Sequence, residues 1–190
     1  MTTAQPIRKK NQVRMLTNYY LKLGKLRNHV LIVLGVYTAL RSCDILLLRW
    51  DDVYDFENKR VKSSIKLVEK KTGKSKIVPL NKNVVSALNT FVTGNARRGR
   101  FLFENSRTYK AISRIQAYRI IRAAGTALGF DGSVSCHSLR KTFGYHAWRD
   151  GASPVVLMDI YNHSSYSVTK RYLGVTQDDI NIVYLGMSFA

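Results

Sequence analysis

The longest apolar run in the chain, VLIVLGVYTAL at residues 30–40, constrains the fold more than any other segment. A helix over this run is apolar on nearly every side, so it must lie inside a core rather than on its surface. The run is about half as long as a helix that crosses a bilayer, and it begins too far from the N-terminus to be a signal peptide. The sequence therefore predicts a globular domain in which this helix is buried, with no membrane partner.

The segment VKSSIKLVEKKTGKSKIVPL at 61–80 predicts a β-hairpin. β-branched residues stand on both sides of KTGKS, and Gly73 provides the conformational freedom that a tight turn needs. Most other segments show helical patterns, and Ser42 is a suitable cap for a short helix in CDILLLRW. Further helices are expected at 14–23, 26–39, 82–93, 111–128, 137–149, 154–161, 166–172 and 176–186. The expected fold class is α+β, mostly helical, with a small antiparallel hairpin.

We expect one domain preceded by a short basic arm. Residues 1–13 are polar and basic and contain Pro6, which favours a loose arm or the stump of a linker. Residues 14–190 hold the apolar segments and are numerous enough to form a core. The last part, about 176–190, forms a C-terminal helical tail, and Thr176 before two acidic residues is a typical helix start.

The net charge predicts a polyanionic partner. The chain has 31 Lys and Arg against 12 Asp and Glu, which gives a formal charge of +19. Such an excess repels itself within a folded domain, and nucleic acid is the first candidate to neutralise it. Two cysteines, Cys43 and Cys136, make no disulfide framework, which fits a reducing cytoplasm.

The spacing of several polar side chains predicts a site. In CHSLRKTF, His137 and Arg140 stand three positions apart, so a helix here places both on one face, where they can reach the same anion. Further candidates stand near the ends of other expected elements: Arg41, Asp44, a lysine of the hairpin turn (Lys70 or Lys71), His163 and Tyr172.

These residue types suit the cleavage of a phosphodiester by a side chain. Two guanidiniums, those of Arg41 and Arg140, can hold the non-bridging oxygens of a phosphate and stabilise the transition state without a metal. A tyrosine such as Tyr172 has an ordinary pKa of about 10, so it needs a base or a cationic site to act as a nucleophile. The sequence has neither a P-loop nor a cluster of carboxylates, and no cofactor or metal is expected.

The order of these residues resembles the tyrosine recombinase (phage integrase) family. Its members carry an Arg, a hairpin Lys, the pattern His-x-x-Arg, a His or Trp, and a nucleophilic Tyr. The match extends over about 14–186 and includes KTGKSKIVPL and HSLRKTF. Asn162 replaces the glycine that usually precedes this histidine, which is expected to alter a turn and leave the chemistry intact. The resemblance implies the catalytic-domain fold of the family, here without its N-terminal core-binding domain.

The resemblance also implies a role for each residue. Tyr172 attacks the scissile phosphate and forms a 3′-phosphotyrosine, while Lys71 protonates the 5′ leaving oxygen. His137 takes part in proton transfer, His163 hydrogen-bonds the phosphate, and Asp44 supports the site. No ATP is required, because the covalent link conserves the energy of the phosphodiester.

The implied partners are double-stranded DNA and further copies of the chain. The family favours a tetramer assembled on DNA through the C-terminal tail, and a location in the bacterial cytoplasm beside the nucleoid. The implied activity is that of a site-specific recombinase or integrase, which breaks and rejoins DNA strands.

Each candidate has an ordinary alternative when it is taken alone. Arg41 suits a helix-end charge, Lys71 a solvated lysine, and Tyr172 a core residue. Six residues in the order and spacing of the family favour the recombinase. The competing function is a non-catalytic DNA-binding accessory or relic protein, and a relaxing topoisomerase is a weaker third. A thiol nucleophile at Cys136 and a zinc site both lack the required spacing.

Overall fold

The computed structural model describes residues 4–94, 99–130, 132 and 134–188. Within these ranges the helices are α1 (Lys10–Lys22), α2 (Leu26–Tyr37), α3 (Ser42–Leu46), α4 (Trp50–Val53), α5 (Lys82–Thr93), α6 (Arg114–Ala127), α7 (Cys136–Arg149), α8 (Pro154–Tyr161), α9 (Tyr166–Leu173) and α10 (Gln177–Gly186). The strands are β1 (Tyr54–Asp55), β2 (Arg60–Val61), β3 (Ser64–Val68) and β4 (Ser75–Pro79). Residues 1–3 of the predicted arm and 189–190 of the predicted tail lie outside the described residues.

Helix α2 is buried, as its composition predicts, and it is the central element of the fold. Val30, Ile32 and Leu34 are fully buried, and the helix packs against α1, α5 and α7. Val30 and Leu34 belong to an apolar cluster that includes α5, whereas Ile32 belongs to a second cluster with α1, α6 and α7. Each fully buried side chain of this kind contributes about 1.5–3 kcal/mol to folding, so α2 anchors both halves of the core.

Gly35 allows α7 to approach α2 closely. A Cβ atom at this position would lie 2.6 Å from Cδ1 of Leu139, which is far inside van der Waals contact. Ser135 caps the start of α7 by accepting a hydrogen bond from a backbone N–H of the first turn at 3.2 Å. The first turns of α7, with His137 and Arg140, are thereby fixed against the central helix.

The predicted hairpin is formed by β3 and β4, which pair antiparallel. Gly73 in its turn has a φ of +66°, a conformation that glycine adopts without strain. Ile65 and Val78 face the core, and the alternation of a strand turns Lys76 to the same side as Val78. A second sheet of β1 and β2, and the short helix α4, are absent from the sequence-based expectation because such short elements show no period.

The N-terminal segment is attached to α7 from Ile7 onward. The N–H of Ile7 donates to Oγ1 of Thr142 at 2.9 Å, and the Ile7 carbonyl lies 2.9 Å from Nε2 of His146. Helix α1 begins at Lys10 rather than near residue 14. The composition favours a loose arm, whereas the buried side chains of Ile7 and Val13 hold this segment against the domain.

Helices α8, α9 and α10 follow α7 and carry the last candidate residues. The residues after α8 and α9, Asn162 and Gly174, are both left-handed. Thr176 caps α10 through its side chain, as predicted. The fold is mostly helical with small antiparallel sheets, which confirms the predicted class. No helix within the described ranges is long and apolar enough to span a membrane.

Candidate active site

Two arginines from distant parts of the chain converge on one backbone carbonyl. Arg41 immediately precedes α3, and Arg140 lies in the first half of α7. Nη2 of Arg41 donates to the carbonyl of Tyr161 at 3.3 Å, and Nη2 of Arg140 donates to the same oxygen at 3.1 Å. The hydroxyl of Tyr161 donates in turn to the Arg140 carbonyl at 2.8 Å. The buried end of α8 therefore brings both guanidiniums together.

Arg140 is only 3% exposed, yet two of its guanidinium nitrogens have no hydrogen-bond partner in the part of the chain that the structure describes. Among the described residues, no group accepts a hydrogen bond from its Nε or its Nη1. Most buried polar groups in proteins are paired, and an unpaired charged group is especially costly. A phosphate would offer two acceptor oxygens to these two donors, so their arrangement suits an oxyanion.

Tyr172 lies on α9 beside two histidines. Its hydroxyl is 3.4 Å from Nδ1 of His137, in the first turn of α7. Its ring centroid lies 4.6 Å from that of His163 and 5.1 Å from that of Tyr161. Nζ of Lys141 lies 5.5 Å from the centre of the Tyr172 ring. The candidate nucleophile thus lies in the cationic surroundings that activation of a tyrosine requires.

Both histidines are neutral at neutral pH. Partial burial lowers the pKa of His137 below its ordinary value of 6.5, and the charges of Arg140 and Lys141 lower it further. Burial, followed by the charges of Arg140 and Arg41, lowers the pKa of His163 to about 4. A neutral imidazole has one nitrogen free to accept a proton, so His137 can serve as a base for the neighbouring phenol.

Lys71 lies in the exposed turn between β3 and β4. Its charge contributes to lowering the pKa of both His137 and His163, so the turn lies within electrostatic reach of the same site. The N–H of Lys70 donates to Oδ1 of Asp44 at 2.9 Å. Asp44, predicted as a supporting residue, therefore fastens the lysine turn to α3.

Glu69 is a site residue that the sequence analysis missed. Its side chain is fully buried, and its Oε2 lies 2.8 Å from Nη1 of Arg41. The same oxygen accepts hydrogen bonds from Oγ1 of Thr72 and Nδ2 of Asn162, each at 2.8 Å. Oε1 lies 3.6 Å from Nζ of Lys76. A buried carboxylate therefore lies at the centre of the cationic groups.

The carboxyl of Glu69 is ionised. Burial alone would raise its pKa, but the hydrogen bonds from Asn162 and Thr72 and the ion pair with Arg41 outweigh burial and lower the pKa to about 2. An acidic residue two positions before the hairpin lysine is a weak sequence signal. The stronger signal is strand alternation, which turns Lys76 inward and requires a partner for its charge.

Asn162 adopts a backbone conformation that glycine also tolerates. Its φ of 52° and ψ of 48° are left-handed, a conformation that glycine and asparagine tolerate best. The N–H of His163 donates to the carbonyl of Met158 at 3.0 Å and closes the end of α8. The side chain of Asn162 reaches Glu69, a contact that a glycine could not make.

The predicted site residues all lie around this one region: Arg41, Asp44, Lys71, His137, Arg140, His163 and Tyr172. The remaining histidines have structural partners. Nδ1 of His29 donates to the carbonyl of Thr17 at 2.6 Å, and Nε2 of His146 contacts the carbonyl of Ile7. Within the described part of the chain, no three His, Cys, Asp or Glu side chains are grouped to hold a metal ion.

Comparison with known proteins gives one consistent family. The profile of the Phage integrase family matches residues 7–178. The chain is 36% identical over 184 residues to Probable integrase/recombinase YoeC of Bacillus subtilis (strain 168), with 97% of each chain covered. It is 30% identical over 168 residues to Tyrosine recombinase XerD of Mycobacterium tuberculosis (strain ATCC 25618 / H37Rv), with 85% of this chain and 52% of that one covered. The chain therefore spans about half the length of XerD.

Solved structures share the fold. The crystal structure of XerA recombinase matches with a TM-score of 0.78 and 21% identity, over 98% of this chain and 65% of that one. XerH site-specific recombinase, bound to a palindromic difH substrate in a post-cleavage complex, matches with a TM-score of 0.76 and 17% identity, over 97% and 53%. These similarities confirm the predicted fold.

Proposed function

The chain belongs to the phage integrase family, and we propose that it breaks and rejoins DNA as the catalytic domain of a site-specific recombinase. Residues 14–190 form the proposed catalytic domain, and Tyr172 is the proposed nucleophile. The observation that carries this assignment is the 3.4 Å distance between its hydroxyl and Nδ1 of His137, beside two arginines that share a carbonyl. Attack on a phosphate needs such a nucleophile, a proton acceptor and paired donors for the oxyanion.

In the cleavage step, a DNA phosphate binds between Arg41 and Arg140, whose guanidiniums offer donors to its non-bridging oxygens. The oxygen of Tyr172 attacks the phosphorus, and its proton passes to the neutral His137. The bond between phosphorus and the 5′ oxygen breaks, and Lys71 gives that oxygen a proton. The products are a 3′-phosphotyrosine and a free 5′-hydroxyl.

His163 is proposed to donate a hydrogen bond to the phosphate. Its Nδ1 lies 3.0 Å from the hydroxyl of Thr169, which can donate to it and leave the proton on Nε2. Rejoining is the same sequence in reverse, with the 5′-hydroxyl of another strand as the attacking group. No nucleotide is consumed, because the phosphotyrosine retains the energy of the phosphodiester.

Double-stranded DNA is the proposed substrate. The formal charge of +19 favours binding to a polyanion through phosphate contacts. XerH in the similar structure is bound to its difH substrate, and a lambda integrase fragment of the same fold is bound to DNA. The shared fold and the net charge support double-stranded DNA as the substrate of this chain. The proposed location, the bacterial cytoplasm at the nucleoid, follows from that substrate.

Assembly into a tetramer on DNA is proposed to use the tail, residues 176–190. Four consecutive residues of α10 with large apolar or aromatic side chains are exposed by 58–87%: Ile182, Val183, Tyr184 and Leu185. Contiguous exposed apolar side chains mark an interaction surface. The first turn of α10 is held to its own domain by an ion pair, in which Nη1 of Arg149 lies 3.0 Å from Oδ1 of Asp179. These four exposed side chains are therefore available to a neighbouring copy.

Covalent capture of DNA tests the proposal. The purified chain is incubated with a library of nicked duplexes whose central sequence is randomised. Cleavage frees the short fragment that begins with the 5′-hydroxyl, and its diffusion away from the duplex traps the protein–DNA adduct. Adducts are isolated with the denatured protein. The attached DNA is sequenced, and the residue that carries it is identified by mass spectrometry. We expect adducts on Tyr172, and the enriched sequence then defines a trapping duplex for quantitative assays. Binding without any adduct would favour the non-catalytic DNA-binding alternative, and an adduct on another tyrosine would contradict the site assignment.

A further inference from the structure

We infer that Glu69 is a positioning residue, which together with Asn162 locks the turn that presents Lys71 to the DNA. The inference rests on the proposed function, in which Lys71 protonates the leaving oxygen. Glu69 itself does not contact DNA, because its side chain is wholly buried. Its effect on the reaction is therefore transmitted through the groups that it holds.

The backbone of Glu69 closes the lysine turn. Its carbonyl accepts hydrogen bonds from the N–H of Thr72 at 3.3 Å and from the N–H of Gly73 at 2.8 Å. Its own N–H donates to the carbonyl of Lys74 at 2.9 Å. Lys71 stands in the middle of this closed turn, so the conformation of Glu69 sets the direction in which the lysine leaves the hairpin.

The side chain of Glu69 ties this turn to two other parts of the site. Its Oε2 accepts from Oγ1 of Thr72 inside the turn, pairs with Nη1 of Arg41 at the start of α3, and accepts from Nδ2 of Asn162 after α8. Asn162 is 93 positions away in the sequence. One oxygen atom thus joins the three segments that carry the proposed acid, a phosphate-binding arginine and a phosphate-binding histidine.

The charge of Glu69 is needed for this arrangement. Lys76 donates to the carbonyl of Ile160 and places its Nζ 3.6 Å from Oε1 of Glu69, so the carboxylate offsets the charges of both Arg41 and Lys76. Burying an ionised carboxylate is costly unless donors surround it. The donors that surround this one come from the elements of the site, so packing alone does not account for a carboxylate here.

A substitution at Asn162 can weaken the contacts that hold the lysine turn without removing the carboxylate. The backbone of Asn162 is left-handed, and glycine adopts that conformation without strain. The substitution Asn162→Gly therefore removes the amide donor to Glu69 and leaves the turn before His163 free to keep its shape. Glu69→Gln removes the charge at nearly constant volume. Glu57→Gln, at an exposed position outside the site, is the matched control for the change in net charge.

The experiment compares two trapping duplexes that differ in one atom. One has the natural 5′ oxygen at the scissile bond, and the other has sulfur there, which leaves as a thiolate and needs no proton. Rates of adduct formation are measured under single-turnover conditions for the wild type, the three variants above and Lys71→Ala.

We expect Glu69→Gln to slow cleavage of the oxygen duplex by about tenfold or more, since general acid catalysis contributes about 10²–10⁴-fold. Asn162→Gly should slow it by about two- to tenfold, the effect of one hydrogen bond. Most of the loss in Asn162→Gly should disappear on the sulfur duplex, as it should for Lys71→Ala. The loss in Glu69→Gln should shrink there only in part, because this change also releases Arg41. Glu57→Gln should match the wild type on both duplexes. A residue that only stabilises the fold would slow both duplexes equally.

Hydrogen exchange of the free protein provides a second measurement. Asn162→Gly should speed exchange of the Gly73 amide, which is bonded to the Glu69 carbonyl, and leave amides of α5 unchanged. If Glu69→Gln does not fold, Asn162→Gly alone carries the test. Equal losses on the oxygen and sulfur duplexes, with unchanged exchange at Gly73, would overturn the role of Glu69 and leave the proposed function standing. A wild-type chain that captures no duplex would contradict the proposed function itself, and with it any role of Glu69 in the reaction.

Discussion

The hydroxyl of Tyr172 lies 3.4 Å from Nδ1 of His137, where α9 packs on α7. The contact depends on the packing of the two helices rather than on a mobile loop, because both residues lie inside helices. His137 is neutral at pH 7, since burial and then the charges of Arg140 and Lys141 lower its pKa. A proton acceptor for the phenol is therefore in place before any DNA binds.

The first prediction concerns the pH dependence of cleavage. His137 must be neutral to accept the proton of Tyr172, and its pKa lies below 6.5. The single-turnover rate of adduct formation should therefore be constant from about pH 8 down to about pH 6.5 and fall as the pH drops through the lowered pKa. His163 does not contribute to this limb of the profile, because its pKa is about 4. A His137→Gln variant should be slower at every pH and should lose the inflection, whereas an inflection that persists would assign it to another group.

The second prediction is that Tyr172→Phe abolishes adduct formation. The change removes one oxygen, so thermal unfolding and DNA binding should stay close to those of the wild type. Tyr161 cannot replace it, because it is fully buried and its hydroxyl donates to the Arg140 carbonyl. Tyr166→Phe, at an exposed position on α9, is the matched control and should retain full activity. Adducts formed by the Tyr172→Phe variant would refute the nucleophile assignment.

The third prediction is that Arg140→Lys slows adduct formation by about 10²–10³-fold, the effect of removing oxyanion donors. An ammonium cannot present the paired donors of a guanidinium, and it also loses part of the contact with the Tyr161 carbonyl. Arg122→Lys, at an exposed position on α6, controls for the general loss of a guanidinium. Because Arg140 is buried, the melting temperature of each variant is compared first. A folded Arg140→Lys protein with unchanged rates would show that the unpaired donors do not bind the phosphate.

Much of the fold follows from local sequence patterns. The apolar run at 30–40 predicts the buried α2, and β-branched residues around Gly73 predict the hairpin, because both depend on short-range periodicity. The pairing of His137 with Arg140 follows from helical spacing alone. The strands β1 and β2 are only two residues long, so they carry no periodic signal and depend on tertiary packing.

The contacts that hold the site residues in place are harder to predict from the sequence. That Glu69 contacts Arg41 and Asn162 depends on three segments meeting in space, and no local pattern encodes that meeting. The hydrogen bond between Ile7 and Thr142 also joins segments that are distant in the sequence. The burial of only two apolar residues, Ile7 and Val13, holds this basic segment against the core. The resemblance to the family supplied the proposed site residues, whereas the side chains that hold them in place have no such sequence signal.

The fourth prediction is that Glu69 contributes to stability in a defined pH window. Its pKa in the folded protein, about 2, lies below the ordinary value of 4.5. A carboxyl with a lowered folded pKa stabilises the protein above its unfolded pKa and loses this contribution as the pH falls through the folded pKa. The free energy of unfolding of the wild type should therefore drop between about pH 4.5 and pH 2, by at most about 3 kcal/mol from this group. Urea unfolding across this range measures it, and Glu69→Gln should flatten the profile relative to Glu57→Gln.

The last prediction concerns the tail. If α10 docks on a neighbouring copy, deleting residues 176–190 should weaken assembly on the trapping duplex and leave binding of a single copy to DNA largely intact. The deletion also removes the contact between Arg149 and Asp179, so a point substitution gives a cleaner test. Leu185 is 87% exposed, and Leu185→Ser should reduce assembly without lowering the melting temperature. Ile115→Ser, at an exposed apolar position on α6, is the matched control. Complexes on DNA are counted by mass photometry, and a truncated chain that assembles as well as the full one would show that the tail serves its own domain alone.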